Sequence, residues 1–392
     1  MQATTKPSLP PPGPDASAAS AELARRIADE IRRNADWISF ARYWELALYT
    51  PGLGYYSGGA QKFGSDAEGG DFVTAPELTP LFGQALARQV AQVMAASQAQ
   101  VLEAGAGTGK LAADLLLALD ALGCAPQHYF ILELSGELRA RQAATIQALA
   151  PALAERVVWL DALPERFSGC VVGNEVLDAM PVHGVHWTDA GIAERGVTLD
   201  ADGHFVWAER PADAALAAAA TALPVSAPYV GEIGLAGRAW TAEWAHRLEQ
   251  GALLLIDYGL PRHEYYHPQR HGGTVRCHYR QRSHDDVFWF PGLSDITAHV
   301  DFTAIAEAGF EAGLDVLGYT TQAHFLINCG IADLLAQRQR EDSPAGAVKA
   351  GGALNLLLSP NEMGELFKVI ALGRGLTEPL LGFARGDKTH TL

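Results

Sequence analysis

From residue 98 onward, short and wholly apolar runs alternate with segments of helical spacing, and this alternation constrains the fold more than any other feature. The runs are Val101–Ala104, "YFILEL" (129–134), "RVVWL" (156–160), "CVVGNE" (170–175), "ALLLIDYG" (252–259), "LDVLGYTTQ" (314–322) and a closing "LFKVIALGRG" (366–375). Helical spacing fills 111–122, 137–149 and "DFTAIAEAGFEAGL" (301–314). Strands with no polar face must be covered on both sides, so the pattern predicts an α/β protein built on a parallel sheet. Two more helices are expected before the closing strand.

The first strand runs into "EAGAGTGKL", and the ligand of this loop can be narrowed by elimination. A phosphate-binding P-loop needs a glycine five residues before the Gly-Lys pair and Ser or Thr after it; here those places hold Ala104 and Leu111. A dinucleotide loop needs a third glycine where Lys110 stands. What remains is Gly105, Gly107 and Gly109 on alternate positions with Glu103 before them. An acid at the mouth of such a loop repels a pyrophosphate but suits S-adenosylmethionine, which carries an ammonium and a sulfonium. Glu133, with Leu134 beside it, ends the second strand where an acid takes ribose hydroxyls in nucleoside-binding sheets. Asp161 follows the third strand and is a candidate for the adenine rim.

Outside the sheet the pattern changes. Residues 1–20 are rich in proline and alanine and read as a disordered tail. Residues 21–97 form a helical segment, with Leu23, Ile27 and Ile31 on one face of 21–33, and a glycine-rich loop over 52–78. Residues 98–183 hold the first half of the sheet and 251–392 the second. Between them, 184–250 shows a period of two with turn signals at "TDAG" and "DADG", which predicts a β-meander followed by helices.

The net charge of −16 and the lack of a basic stripe argue against a nucleic-acid partner; such a surface would steer in a basic peptide or protein, or serve solubility alone. The four cysteines are far apart with no CxxC, which predicts a reduced, cytoplasmic chain. No stretch suits a membrane span. His263, His267 and His271 lie four apart, but Pro268 breaks the helix that would align them, so no metal is expected. Oligomeric state is left open.

The stretches "GYYS…GGDFVTAPELTPLFGQALA", "LEAGAGTGKLAADLL", "NEVLDAMPVH", "LLIDYG", "SDITAHVDFTAIAEAG" and "SPNEMGELFKVIAL" together resemble the MidA-like family of class I methyltransferases. That family includes the mitochondrial complex I assembly factor that dimethylates an arginine. The resemblance implies a Rossmann-like sheet of seven strands with the last antiparallel, plus an N-terminal extension and the insertion. It implies S-adenosylmethionine as cofactor and symmetric arginine dimethylation of a protein, such as a subunit of respiratory complex I. In the glycine-rich loop, Tyr55, Tyr56, Thr74, Pro76 and Glu77 resemble a lid that closes over the cofactor, with a solvated loop pinned by two aromatics as the alternative. A small-molecule methyltransferase, or an assembly factor that binds the cofactor and holds a partner, are the alternatives.

Methyl transfer to arginine adds a requirement, because a guanidinium stays charged and is held best by carboxylates. "GNEVLDAMPVH" follows the fourth strand, where substrate meets cofactor in such a sheet. Glu175 is the expected guanidinium-facing acid and Asn174 a polar contact near the methionyl end. Asp178 fits a catalytic acid or a helix N-cap equally. His299 fits a proton acceptor after methylation or a packed loop histidine, and Asp301 fits an N-cap.

Overall fold

The computed structural model describes residues 9–58, 74–341 and 343–392. The chain gathers into two compact units, each drawn from three stretches: 1–72, 179–236 and 263–299 in the first, 73–178, 237–262 and 300–392 in the second.

The second unit holds the large sheet. Its strands are β1 (Gln100–Ala104), β2 (His128–Leu132), β3 (Val157–Leu160), β4 (Phe167–Asn174), β5 (Leu248–Leu260), β6 (Asp315–Thr321) and β7 (Phe367–Arg374). They lie in the order β6-β7-β5-β4-β1-β2-β3. The pairs β2–β3, β1–β2, β1–β4 and β4–β5 are parallel, and β7 runs antiparallel to both β5 and β6. This is the seven-stranded order with an antiparallel last strand. A two-residue strand, Val300–Asp301, adds to the end of β5.

Alternate residues of these strands supply one core. Val101, Tyr129, Ile131, Cys170, Val172, Leu254, Ile256 and Val369 pack with Leu86, Val90 and Val93 of helix Pro80–Ala95 and Leu115 and Leu119 of helix Lys110–Ala121. Each such side chain, taken fully from water, contributes about 1.5–3 kcal/mol. The opposite parity, Leu253 and Leu255 of β5 for example, is buried as well, which is why the strands read as continuous apolar runs.

The first unit is antiparallel. Ile38–Ser39, Gly191–Leu199, His183–Thr188 and Tyr229–Ile233 lie side by side in that order, and Phe205–Pro211 also pairs with Gly191–Leu199. Helices Pro14–Arg33 and Phe40–Tyr49 add Leu23, Ile27, Ile31, Tyr43 and Trp44 to a core with Val182, Val197, Cys277 and Ile296.

Several boundaries differ from the sequence reading. The expected tail is helical from Pro14: proline at the first helical position has its φ already set, Asp15 faces the positive helix end, and the small residues up to Ser20 do not interrupt it. Residues 263–299, assigned above to the second half of the methyltransferase domain, belong with the insertion, because Arg276–Tyr279, Arg282–His284 and Asp295–Thr297 form their own small sheet. Between β6 and β7 lie helices Gln322–Asn328, Ile331–Glu341, Pro344–Leu358 and Met363–Leu366, more than the two expected. Gly330, at φ +77, ends the first of them, and Pro344 starts the third.

Asp301 caps helix Phe302–Glu311, accepting the Ala304 amide at 3.1 Å, and its other oxygen lies 3.6 Å from Arg262. Replacing it with Ala should cost about 1–2 kcal/mol in urea unfolding, the usual loss for a cap. Affinity for S-adenosyl-homocysteine should stay within about two-fold, since the cap only has to hold its helix.

Candidate functional site

Strands β1 and β4 are neighbours in the sheet, yet the chain leaves β1 toward β2 and β3 and returns to β4 on the other side. Such a reversal opens a crevice at the carboxyl ends of the two strands, where ligands of open α/β sheets bind. The loop after β1 borders it. Gly105, Gly107 and Gly109 adopt φ of +66°, +51° and +83°, a region costly for residues with a Cβ. At Gly109 a Cβ would also come 2.8 Å from Gln142 Cα. Lys110 pairs with Asp114 one turn along the helix that starts there. Thr108 Oγ1 donates to Glu77 of the short helix Ala75–Leu78.

The acids around the loop divide into distinct roles. Glu103, expected at the mouth, lies beneath the loop: it is 2% exposed and its Oε2 accepts from Tyr129 Oη at 2.6 Å. It is the fourth residue of β1, with the parity of Val101, so its side chain enters the packed face. Burial pushes its carboxyl up to about 7, against the pull of the Tyr129 hydroxyl. Glu133 stands in the loop after β2, held by the Ser135 amide on Oε1 (2.9 Å) and Gln142 Nε2 on Oε2 (3.1 Å); burial raises its carboxyl too. Asp161 is exposed and paired with Arg139 at 2.8 Å.

The turn after β4 is the most unusual stretch of the site. Glu175 is a non-glycine residue at φ +53°, and its amide donates to Ile256 O at 2.9 Å. A conformation of this kind costs about 1–3 kcal/mol and persists where its surroundings impose it. Asp257 imposes it here. Its Oδ2 accepts the amides of Val176 (3.1 Å), Leu177 (2.9 Å) and Asp178 (3.2 Å), and its Oδ1 accepts that of Tyr258 (2.9 Å). Glu175 remains partly reachable by solvent, yet burial and the neighbouring Asp178 push its carboxyl up to about 8. Asn174 Nδ2 and the Ala75 amide donate to it and pull the other way. Asp178 is 5% exposed, and no helix begins at it. The N-cap alternative therefore falls: Pro181 and the strand His183–Thr188 follow too closely.

These residues suit the expected cofactor. Leu134 is 81% exposed directly after Glu133 and offers an apolar surface for an adenine. Glu133, an acid at the end of the second strand, would accept from ribose hydroxyls. Asn174 Oδ1 is buried and accepts no hydrogen bond among the described residues, leaving a place for an ammonium donor.

Thr74 and Pro76 flank Ala75, whose amide meets Glu175. Tyr56 and His299 belong to the first unit: Tyr56 Oη donates to Asp295 Oδ1 at 3.0 Å, and the His299 amide donates to Thr274 Oγ1 at 3.1 Å. The middle of the expected lid, 59–73, lies outside the described residues. Sequence reasoning missed Asp257 and Gln142. The first was signalled by an acid ending the otherwise apolar "LLLID"; the second had no local signal.

Glu103 should make stability depend on pH. Its carboxyl rises from 4.5 unfolded to about 7 folded. The folded chain thus holds a proton that the unfolded chain releases, and the associated stability is lost as pH rises through that window. Glu103→Gln keeps an acceptor for Tyr129 and should remove on the order of 3 kcal/mol of decline between pH 5 and 8 in urea titrations. A variant with the wild-type slope would mean that Glu103 is ionised throughout.

A family described as "Putative S-adenosyl-L-methionine-dependent methyltransferase" matches residues 85–320, more than half of the chain. A Burkholderia thailandensis protein, solved with S-adenosyl-homocysteine bound, is 56% identical, with a TM-score of 0.94 over 98% of this chain and 100% of that one. The mitochondrial protein arginine methyltransferase NDUFAF7 of Danio rerio is 27% identical, covering 91% of this chain and 88% of its own length. Its counterpart in Mus musculus is 29% identical, over 86% and 80% respectively. The chain belongs to the MidA-like family of S-adenosyl-L-methionine-dependent methyltransferases.

Proposed function

We propose that the chain is a protein arginine methyltransferase in which Glu175 receives the substrate guanidinium. One observation carries this reading: Glu175 and Asp257 meet at the end of β4 with Asp178 close by, and among the described residues no lysine or arginine is paired with Glu175 or Asp257. Buried acids without a cation hold protons, and a cationic ligand draws them off. A guanidinium is such a ligand, and its planar donors match a carboxylate. Asp257 already accepts four amides, so Glu175 is the acid left to take the substrate.

S-adenosylmethionine supplies the methyl group on its sulfonium. The transfer is an in-line displacement, and the work of the chain is alignment and exclusion of water. Glu175 would hold the positive charge away from the reacting nitrogen, while Asn174 Oδ1 would take the ammonium of the methionyl end. The names of the mitochondrial relatives support arginine as acceptor. The family resemblance extends this reading to a subunit of respiratory complex I, or a similar protein, as the target of symmetric dimethylation. The widely spaced cysteines, with no CxxC, support a reduced, cytoplasmic location as part of this reading.

Glu175→Gln tests this directly on an arginine peptide. Methylation should fall by more than about 100-fold, the worth of a charge-assisted contact in a dry site. Affinity for S-adenosyl-homocysteine, read by calorimetry, should stay within about two-fold because Glu175 grips the acceptor. Cofactor affinity falling in step would move Glu175 into the cofactor pocket. Undiminished methylation would pass the acid role to Asp178. A variant inactive in methylation that still supported complex I assembly in cells would favour a factor that acts by holding its partner.

A further inference from the structure

Gln142 is fully buried in the middle of helix Gly136–Leu149, where Ile146 is the other buried residue. Packing alone does not ask for an amide there, since a leucine or methionine would fill a similar volume without a polar group to satisfy. Yet both N–H donors and the oxygen of the amide are bonded. Its Nε2 donates to Glu133 Oε2 at 3.1 Å and to the Gly107 carbonyl at 3.2 Å. Its Oε1 accepts from Trp159 Nε1 at 3.0 Å. The orientation is unambiguous, because an indole N–H can only donate and the Gly107 carbonyl can only accept. One side chain therefore joins the glycine loop after β1, the acid after β2 and an aromatic ring on β3.

We propose that Gln142 is a positioning residue for the cofactor: it orients the Glu133 carboxylate toward the vicinal hydroxyls of the nucleoside. The Ser135 amide occupies one acceptor position on Oε1 and Gln142 one on Oε2. The Leu134 amide also donates toward this carboxylate, which still keeps acceptor capacity, and two oxygens fixed side by side match a pair of neighbouring hydroxyls. Gly109 is the condition for this arrangement. Its missing Cβ would meet Gln142 Cα at 2.8 Å, so only glycine there lets the helix come near enough for the amide to reach the loop. The proposal rests on the nucleoside lying against Glu133, but not on the identity of the methyl acceptor.

Calorimetric titration of the full chain with S-adenosyl-homocysteine separates the possibilities. Glu133→Ala should weaken binding by about 10–100-fold, the usual cost of leaving ligand hydroxyls unpaired. Gln142→Leu should weaken it by about 10-fold with unchanged stoichiometry, because the carboxylate is present but loosely held. In the double variant the losses should not multiply: once Glu133 is gone, removing Gln142 should cost no more than about two-fold. Multiplying losses, or wild-type affinity in Gln142→Leu, would overturn the proposal. Wild-type affinity in Glu133→Ala would instead overturn the placement of the nucleoside. Should Gln142→Leu fold poorly, Gln142→Met provides the same comparison. Reduced stoichiometry in both variants would make Gln142 a packing residue and refute the assignment.

Discussion

Ile256 of β5 lies opposite Asn174 of β4 in the parallel register of the two strands, which sets Asp257 beside the turn that follows β4. Strand β4 is buried from Phe167 to Gly173 between β1 and β5, so its functional side chains come at and beyond its carboxyl end. The chain must leave the sheet there with its amides satisfied. The Asp257 carboxylate collects three of them, and Glu175 is thereby held at positive φ. A slip of one residue between β4 and β5 would turn Asp257 to the other face of the sheet and dissolve the turn. The candidate site depends on that register.

Placement also separates the acids into roles that their shared chemistry does not. Glu103 faces the packed side of β1 and behaves as a buried carboxyl bonded to tyrosine. Asp161 is neutralised at the surface by Arg139. Asp257 is consumed by backbone amides, whereas Glu133 and Glu175 are held by few enough bonds to keep acceptor positions for a ligand. Lys110, which in a phosphate-binding loop would reach an anion, lies along its own helix with Asp114. The crevice therefore has the acidity of a site for cationic ligands, in keeping with a sulfonium cofactor.

Much of the fold was legible because its signals are local. Apolar runs buried on both faces announce the strands, period two announces the meander, and three glycines on alternate positions announce a loop that must adopt positive φ. Asn174 and Glu175 could be singled out because they follow β4 directly in the chain. Gln142 could not, since it follows Gly107 by 35 residues and its meaning lies in the distance to Glu133 and Trp159. The affiliation of 263–299 was hidden for the same reason: its strands pair among themselves, and no run of residues announces which unit they join.

By itself the sequence determined the strand and helix periods, the glycine loop, and the acids that end strands, because each follows from the chemistry of neighbouring residues along one backbone. Tertiary structure alone decided which of those acids is buried, which is bound to amides and which is left for a ligand. Those properties depend on what a side chain meets across a strand pair or a helix seat, and such encounters join residues that may be 80 positions apart, as Asp257 and Leu177 are. An acid is the same in every sequence, but its proton affinity and its free lone pairs belong to its surroundings.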